Sequence, residues 1–210
     1  MSPTPSDIVY LFGDRFAPRE KLLSPSESVP CGTAKVQRRE LAHEMLHAAF
    51  AHLRHTGSIG LSLGQRKTLI LRSEAVLVTP LNTGAHIGGL EQAILESLTG
   101  DAGKNYADEV VGRAIGEERI DPWAAVIDAG KEHLRSLGYL VEEERSGLGK
   151  LIPGRTYAPT CEKIAALQVQ IPAVQALLRE LEPPLANRLR EDIKKGVTSR
   201  YQTREIDADE

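Results

Sequence analysis

Apolar side chains recur at helical spacing between Thr33 and about His55. They occupy positions i, i+4, i+7, i+8 and i+11 of one helix face, namely Ala42, Leu46, Ala49, Phe50 and Leu53. Thr33 belongs to the residue types that cap helix N-termini, and Gly57 is typical of a helix end. The sequence therefore predicts a long amphipathic helix over this segment.

Two β-hairpins are predicted from short alternating or β-rich runs bounded by turn residues. The first consists of strands 58–63 and 67–78 with a turn at Gly64-Gln65-Arg66. The second consists of strands 139–143 and 151–157 with a turn around Arg145-Ser146-Gly147. A proline closes each hairpin, Pro80 in the first and Pro159 in the second.

Three amphipathic helices are predicted between these hairpins. The first carries Leu90, Ile94, Leu95 and Leu98, and the second carries Tyr106, Val110, Val111, Ala114 and Ile115. The third begins at Asp121-Pro122, because an acidic N-cap followed by proline is a strong helix start, and it ends at Gly138. Shorter helices follow, with breaks at Pro172 and at Pro183-Pro184.

The two hairpin regions resemble copies of one unit at a constant offset. The segment from His52 to Ile59 aligns with the segment from His133 to Leu140, residue for residue. Each copy ends a helix, passes a glycine and enters a hairpin. The expected fold is therefore mainly α with two β-hairpins (α+β), arranged as tandem winged-helix-like modules, unless the repeat is a coincidence of common helix ends.

The predicted organisation is one unit made of several segments. Its proline-rich start is expected to be an irregular lead-in. The segments are a lead-in over 1–32, a first module over 33–87, a winged-helix-like module over 88–160, C-terminal helices over 161–202 and an acidic tail over 203–210.

Composition restricts the class of protein. The chain of 210 residues is 41% hydrophobic and 26% charged, which is typical of a globular domain. Its apolar runs are too short to span a bilayer. The formal net charge of −3 is uneven, because residues 1–80 carry a net +3 and the remainder a net −6. The N-terminal part is thus the better candidate for an anionic partner.

The N-terminus lacks the pattern of a secretory signal, so the expected compartment is the cytoplasm. Cys31 and Cys161 are far apart in sequence and neither belongs to a CxxC motif. In a reducing compartment, two isolated cysteines are expected to be free thiols, and the alternative is that the fold brings them together as a disulfide.

The one motif with direct catalytic meaning is His43-Glu44-Met45-Leu46-His47, an H-E-x-x-H. On a helix it would place two imidazoles on one face for zinc, with Glu44 as general base. A catalytic site needs a third protein ligand, and the sequence offers no clear one. The alternative is structural, with both histidines half-buried beside the apolar stripe. A zinc-dependent hydrolase is therefore an alternative hypothesis and not the leading one.

Nucleic-acid binding is a second alternative, since winged helices commonly bind DNA. The exposed face of the third helix of 88–160 carries three acids and two bases, which does not suit phosphate contact. The first module is more basic, with Lys35, Arg38, Arg39, Arg54, Arg66, Lys67 and Arg72. It remains the candidate if the protein is a nucleic-acid-binding regulator.

Residues 41–182 resemble the Golgi phosphoprotein 3 family in the order of elements and in local pattern. The segments that carry the resemblance are 45–63, MLHAAFAHLRHTGSIGLSL, the helix 90–98, and 134–159, which ends in GLGKLIPGRTYAP. The resemblance implies a mainly helical adaptor protein without enzymatic activity. It also implies peripheral binding to membranes, since eukaryotic members bind phosphatidylinositol 4-phosphate.

The family's head-group arginines fall near Leu46, Ala124 and Ile127 of this chain, so no phosphoinositide site is assigned. The leading expectation is a cytoplasmic, non-enzymatic adaptor without a cofactor, in contact with an anionic lipid surface or a protein partner. Arg54, Arg66 and Lys67, near or at the first hairpin, are the expected anionic-surface contacts.

Overall fold

The structure of the chain is a computed structural model that describes residues 2–67, 72–82, 84, 86–143 and 155–202. About half of the chain is helical, and the strands form three small antiparallel sheets of two strands each. The expected α+β class is therefore confirmed.

Eight α-helices are present in the described ranges. They are α1 (Pro5–Leu11), α2 (Arg38–His55), α3 (Gly89–Glu96), α4 (Ala107–Ile115), α5 (Pro122–Ser136), α6 (Cys161–Ala165), α7 (Ile171–Leu177) and α8 (Pro183–Thr198). Short 3-10 turns occupy Gly13–Arg15, Ala102–Lys104 and Ala166–Gln170. No helix within these ranges combines the length and the apolar character needed to cross a membrane.

The strands pair in chain order. They are β1 (Ser26–Ser28), β2 (Lys35–Gln37), β3 (Ile59–Lys67), β4 (Arg72–Pro80), β5 (Leu140–Glu143) and β6 (Thr156–Pro159). Each sheet joins two successive strands, β1 with β2, β3 with β4 and β5 with β6. The sequence analysis did not predict the β1–β2 sheet. Its first strand, β1, lies in the expected lead-in, and β2 lies at the start of the expected first module.

The expectation of an irregular lead-in is wrong for α1. Thr4 caps this helix, with its hydroxyl accepting from the Asp7 backbone N–H while the Asp7 carboxylate accepts from the Thr4 N–H. Pro5 stands in the first helical turn, where it needs no hydrogen-bond donor. The proline density therefore marks a helix start here. The helix is buried in the core, with Ile8 and Leu11 fully inaccessible.

The long predicted helix is confirmed as α2, although it begins at Arg38 and not after Thr33. Residues 35–37 form β2 instead, and Lys35 pairs with Ser28. The predicted apolar stripe is buried, and Leu46 and Phe50 each have 1% exposure or less. The helix packs against α1, α5 and α8 and forms the centre of the fold.

The first hairpin is confirmed, but its predicted turn is misplaced. Gly64, Gln65 and Arg66 continue β3, where they pair with Ala75, Glu74 and Ser73. The connection between the strands lies outside the described residues. Since the strand runs on through the glycine, Arg66 belongs to the sheet and not to an exposed turn.

The helix-to-strand corner is repeated as the offset predicts. Gly57 and Gly138 both have positive φ, +70° and +73°, and each follows the last turn of its helix. In both corners the glycine N–H donates to the third carbonyl before it, and the next N–H donates to the fifth carbonyl before it. The following strands begin at Ile59 and Leu140, which pair with Pro80 and Pro159.

The second hairpin and the C-terminal helices agree with the prediction in part. The described return strand is β6, Thr156–Pro159, whereas the prediction was 151–157. The predicted turn and residues 151–154 lie outside the described residues. Pro172 and Pro183 stand in the first turns of α7 and α8, so the expected breaks are helix starts.

Cys31 and Cys161 form a disulfide, so the expectation of free thiols is wrong. Their Cα atoms are 5.5 Å apart although 130 positions separate them in sequence. Both residues are exposed. The cross-link ties the segment between β1 and β2 to the start of α6, and no local pattern predicted that proximity.

Candidate functional site

The H-E-x-x-H motif lies where α2 packs against α8. Arg190 of α8 pairs through its guanidinium with both carboxylate oxygens of Glu44. Its Nη2 also donates to Nδ1 of His47 at 3.1 Å, and Nε2 of His43 donates to the Arg190 carbonyl oxygen at 3.0 Å. The side chain of His47 is 1% exposed and that of His43 is 12% exposed. All three motif residues thus contact one residue of α8.

The electrostatics of this cluster fit an ion pair. Burial raises the pKa of Glu44, but its interactions with His43, His47 and the Arg190 guanidinium outweigh burial and hold this pKa well below its usual value. Burial lowers the pKa of His47, and the positive charge of Arg190 lowers it further. Glu44 is therefore an ionised carboxylate bound to a cation, and His47 is a neutral imidazole.

This arrangement does not favour the zinc alternative. Glu44 would have to accept a proton as general base, yet the Arg190 guanidinium binds its carboxylate. In the described part of the chain, no three His, Cys, Asp or Glu side chains are placed to hold a metal ion. The motif is explained by its contacts between α2 and α8.

Removing the Arg190 guanidinium is expected to destabilise the fold. The Glu44 side chain is only 14% exposed, and Arg190→Met leaves its carboxylate without a cation. The Arg190 side chain is 39% exposed. Solvent screening therefore reduces the expected loss in the free energy of unfolding to about 2 kcal/mol. Urea denaturation measures it. Glu44→Gln/Arg190→Met should recover part of the loss, and an equal or larger loss in the double variant would contradict this account.

Arg66 is held by carboxylates of α4. Its Nη1 and Nη2 donate to the two oxygens of Asp108 at 2.9 and 2.7 Å, and Nη2 also donates to Glu109 at 3.0 Å. The guanidinium lies 4.2 Å from the ring centroid of Tyr106. The side chain is only 15% exposed. The predicted turn position of Arg66 is therefore wrong, and its guanidinium is bound by carboxylates of α4.

The other two predicted contact residues are not brought to Arg66. Arg54 stands at the end of α2, where its Nη1 donates to the Glu180 carbonyl oxygen at 3.5 Å. The Lys67 side chain lies outside the described residues. The three predicted cations therefore do not form one observed patch.

Three cations that the sequence analysis did not single out surround Arg66 instead. Lys195 of α8 is 2.7 Å from Asp108 Oδ2, and Arg113 of α4 donates through Nε to the Ser97 carbonyl oxygen at 2.7 Å. Arg200 follows α8, and its buried Nε has no hydrogen-bond partner among the described residues. These four cations, with Asp108 and Glu109, line a cavity of about 360 Å³, which we call the cationic cavity.

The charges of the cationic cavity do not cancel. Burial raises the pKa of Asp108, but hydrogen bonds from Arg66 and Lys195 outweigh burial, so this pKa lies below its usual value. Asp108 is therefore ionised at neutral pH. Four cations face two carboxylates, which leaves two positive charges in excess.

Close packing of α4 against α8 brings these charges together. A Cβ at Gly196 would lie 2.8 Å from the Cβ of Val111, and one at Gly112 would lie 3.0 Å from Nε of Arg200. The approach at Gly196 requires glycine, whereas a Cβ at Gly112 would press on the Arg200 side chain. The two glycines were a readable signal of close packing, but they did not indicate which elements meet.

A second buried polar cluster was also missed, and it joins α1, α3 and α5. His133 Nδ1 donates to Asp7 Oδ2 at 2.8 Å, and Ser6 Oγ donates to Glu91 Oε2 at 2.7 Å. Asp7, Ser6 and Glu91 are fully inaccessible. His52 Nδ1 is 3.6 Å from Glu91. These buried side chains are hydrogen-bonded to one another, so we assign this cluster a structural role.

Comparison of the chain with protein-family models, with curated proteins and with solved structures finds no match. Arguments about function therefore rest on the residues and their geometry.

Proposed function

We propose that the protein is a non-enzymatic binding module of the adaptor type that docks on an anionic membrane surface, as the resemblance to the Golgi phosphoprotein 3 family implies. The observation that carries this proposal is the cationic cavity. Its surplus of two positive charges needs anionic groups for neutralisation, and Lys195 is 59% exposed and accessible to them. Each basic residue close to an anionic surface contributes about 1 kcal/mol.

Tandem winged-helix-like modules are part of the same proposal. In 88–160 the order α3, α4, α5, β5, β6 is that of three helices followed by a hairpin, and the repeated corners after α2 and α5 support a common unit.

The packing of α5 makes nucleic-acid binding the less supported alternative. In a DNA-binding winged helix the third helix enters the major groove. Here α5 packs against α1, α2 and α3, and its more exposed residues include Asp128 and Glu132. A helix enclosed in this way presents little surface to a groove, and its acids would repel phosphates.

Vesicle binding tests the proposed function. The wild-type protein should co-sediment with phosphatidylcholine vesicles containing about 30% phosphatidylserine at low salt, and binding should fall as salt screens the charges. Lys195→Ala/Arg200→Ala removes about 2 kcal/mol of attraction and should weaken binding about thirtyfold. Lys194→Ala is the matched control, because it removes an exposed cation of α8 that does not line the cationic cavity.

Three results would contradict the proposal. These are an absence of wild-type binding at low salt, binding unaffected by salt, or an equal loss in Lys194→Ala and the double variant. Binding to duplex DNA, but not to vesicles, would favour the nucleic-acid regulator. About one zinc per chain in the purified untagged protein, lost in both His43→Ala and His47→Ala, would favour the hydrolase.

A further inference from the structure

We infer that the loop between Pro18 and Pro25 inserts Leu22 and Leu23 into the interfacial region of an anionic bilayer. This inference rests on the proposed membrane docking and names the apolar contact that the cationic cavity cannot supply. We call residues 18–25 the leucine loop.

The two leucines are the most exposed large apolar side chains that the structure describes. Leu22 is 92% exposed and Leu23 is 98% exposed. Other exposed apolar residues, such as Ile120 and Val169, stand singly. Isolated apolar residues are normal on a protein surface, whereas two adjacent leucines at the tip of a protrusion indicate a contact surface.

Backbone hydrogen bonds fix the conformation of the protruding leucine loop. Its stem is held to β2 and the start of α2, because Glu20 N–H donates to the Lys35 carbonyl at 2.9 Å and Arg38 N–H donates to the Pro25 carbonyl at 3.0 Å. At its tip, Ser24 N–H donates to the Lys21 carbonyl at 3.1 Å and closes a β-turn. The two leucines are the central residues of this turn.

The turn carries backbone strain. Leu23 has φ +68°, which lies in the left-handed region where glycine or asparagine normally stands. A leucine in this position is unfavourable for the backbone and for the exposed side chain alike. Strain and apolar exposure at the same residue indicate that the side chain serves an interaction.

The charges around the tip select an anionic bilayer as the occupant. Arg19, Lys21 and Lys35 are exposed, and within the described ranges none of them has a carboxylate within ion-pairing distance. Within residues 18–25, Glu20 is the one acidic residue. An apolar tip surrounded by unpaired cations complements the acyl boundary and the phosphate layer of an anionic membrane together.

The leucine loop and the cationic cavity lie at the same end of the molecule. His43, near the start of α2, contacts Arg190 within α8, whereas Arg54, near the end of α2, contacts Glu180 just before α8 begins, so the two helices run antiparallel. The N-terminus of α2, which holds the leucine loop, therefore lies beside the C-terminus of α8, which Arg200 follows.

A short series of contacts connects these two features. Arg38 binds Asp121 at 2.9 Å, and Arg119 N–H donates to the Arg200 carbonyl at 2.8 Å. One membrane surface can therefore meet the leucine loop and the cationic cavity together.

Vesicle partitioning of leucine variants tests the inference with the same phosphatidylserine vesicles. Leu22→Ser and Leu23→Ser should each weaken binding about tenfold, and the loss should persist at high salt because it is apolar. Val169→Ser, at a residue 82% exposed, is the matched control and should bind as the wild type does. In Leu22→Trp, tryptophan emission should shift to shorter wavelength on binding, since the native Trp123 is buried and only 3% exposed.

The outcomes separate this inference from the proposed function. If the leucine variants bind like the wild type while Lys195→Ala/Arg200→Ala loses binding, the insertion is wrong and the electrostatic docking stands. If binding resists salt but is lost in the leucine variants, insertion stands and the electrostatic proposal fails. Unchanged emission of Leu22→Trp on bound vesicles overturns the insertion. A leucine-dependent dimer without vesicles would make the occupant a second copy of the chain and would overturn it as well.

Discussion

Removing the disulfide between Cys31 and Cys161 is expected to lower the free energy of unfolding by about 5 kcal/mol, because the bond closes a loop of 130 positions. The cross-link restricts the unfolded chain, and the loop-closure entropy grows with the logarithm of loop length. Native packing near the bond adds little to this effect, since both cysteines are exposed.

Urea denaturation of the oxidised wild type and of Cys31→Ser/Cys161→Ser measures this effect. The single transition should move to lower urea in the double variant, and a reducing agent should move the wild type to the same midpoint. The reducing agent should leave the double variant unchanged, which makes that variant its own control. If the reducing agent leaves the urea midpoint of the wild type unchanged, the cross-link does not restrict the unfolded state.

Local signals predicted the parts of the fold that depend on neighbouring residues. Asp121 does cap α5, with its side chain accepting from the Ala124 N–H at 3.1 Å, and Gly138 does end it with positive φ. The boundaries of α5 and the repeated corner could be predicted because caps and glycine turns act within a few residues. The start of α1 could have been predicted in the same way, because the spacing of Thr4 and Asp7 is that of a capping box.

The candidate site depended on contacts that no local signal contains. Arg66 meets Asp108 across 42 positions, and Glu44 meets Arg190 across 146. A basic residue in a predicted turn suggests contact with an anionic surface, because sequence does not show which acid lies opposite it. Likewise, H-E-x-x-H fits a zinc motif until the arginine that binds its glutamate is known.

The exposure of the leucine loop could not be predicted from the sequence either. In sequence, Leu22 and Leu23 look like ordinary core residues, because apolar side chains are buried by default. Their exposure follows from the pairing of the loop stem with β2, which turns the tip away from the core. Only tertiary structure separates a buried leucine pair from a protruding one.

His133 provides the charge that Asp7 needs in the core, so His133→Gln is expected to destabilise the protein by about 3 kcal/mol below about pH 6.5. Asp7 is fully inaccessible and its Oδ1 has no partner among the described residues. Glu91, also fully inaccessible, adds a second negative charge nearby. The variant removes the cation and leaves both acids in place. The penalty for an uncompensated buried charge then opposes folding.

The pH dependence distinguishes a charge effect from a loss of packing. The hydrogen bond with Asp7 raises the pKa of His133 above 6.5, against the effect of burial. Burial raises the pKa of Asp7 above its usual value as well, so for both groups proton binding favours the folded state. The stability that His133 contributes is complete below its unfolded pKa, about 6.5, and is lost as the pH rises through its folded pKa.

Urea denaturation from about pH 5.5 to 9 therefore should show the wild type losing stability above about pH 6.5, and the part of this loss that comes from titration of His133 should be absent from His133→Gln. His55→Gln is the matched control, because the His55 side chain is 58% exposed and its partner Glu180 is 48% exposed. An exposed ion pair contributes little, so this variant should differ from the wild type by less than about 0.5 kcal/mol. A parallel pH profile in the wild type and His133→Gln would mean that Asp7 is neutral in the fold and that the buried cluster holds no ion pair.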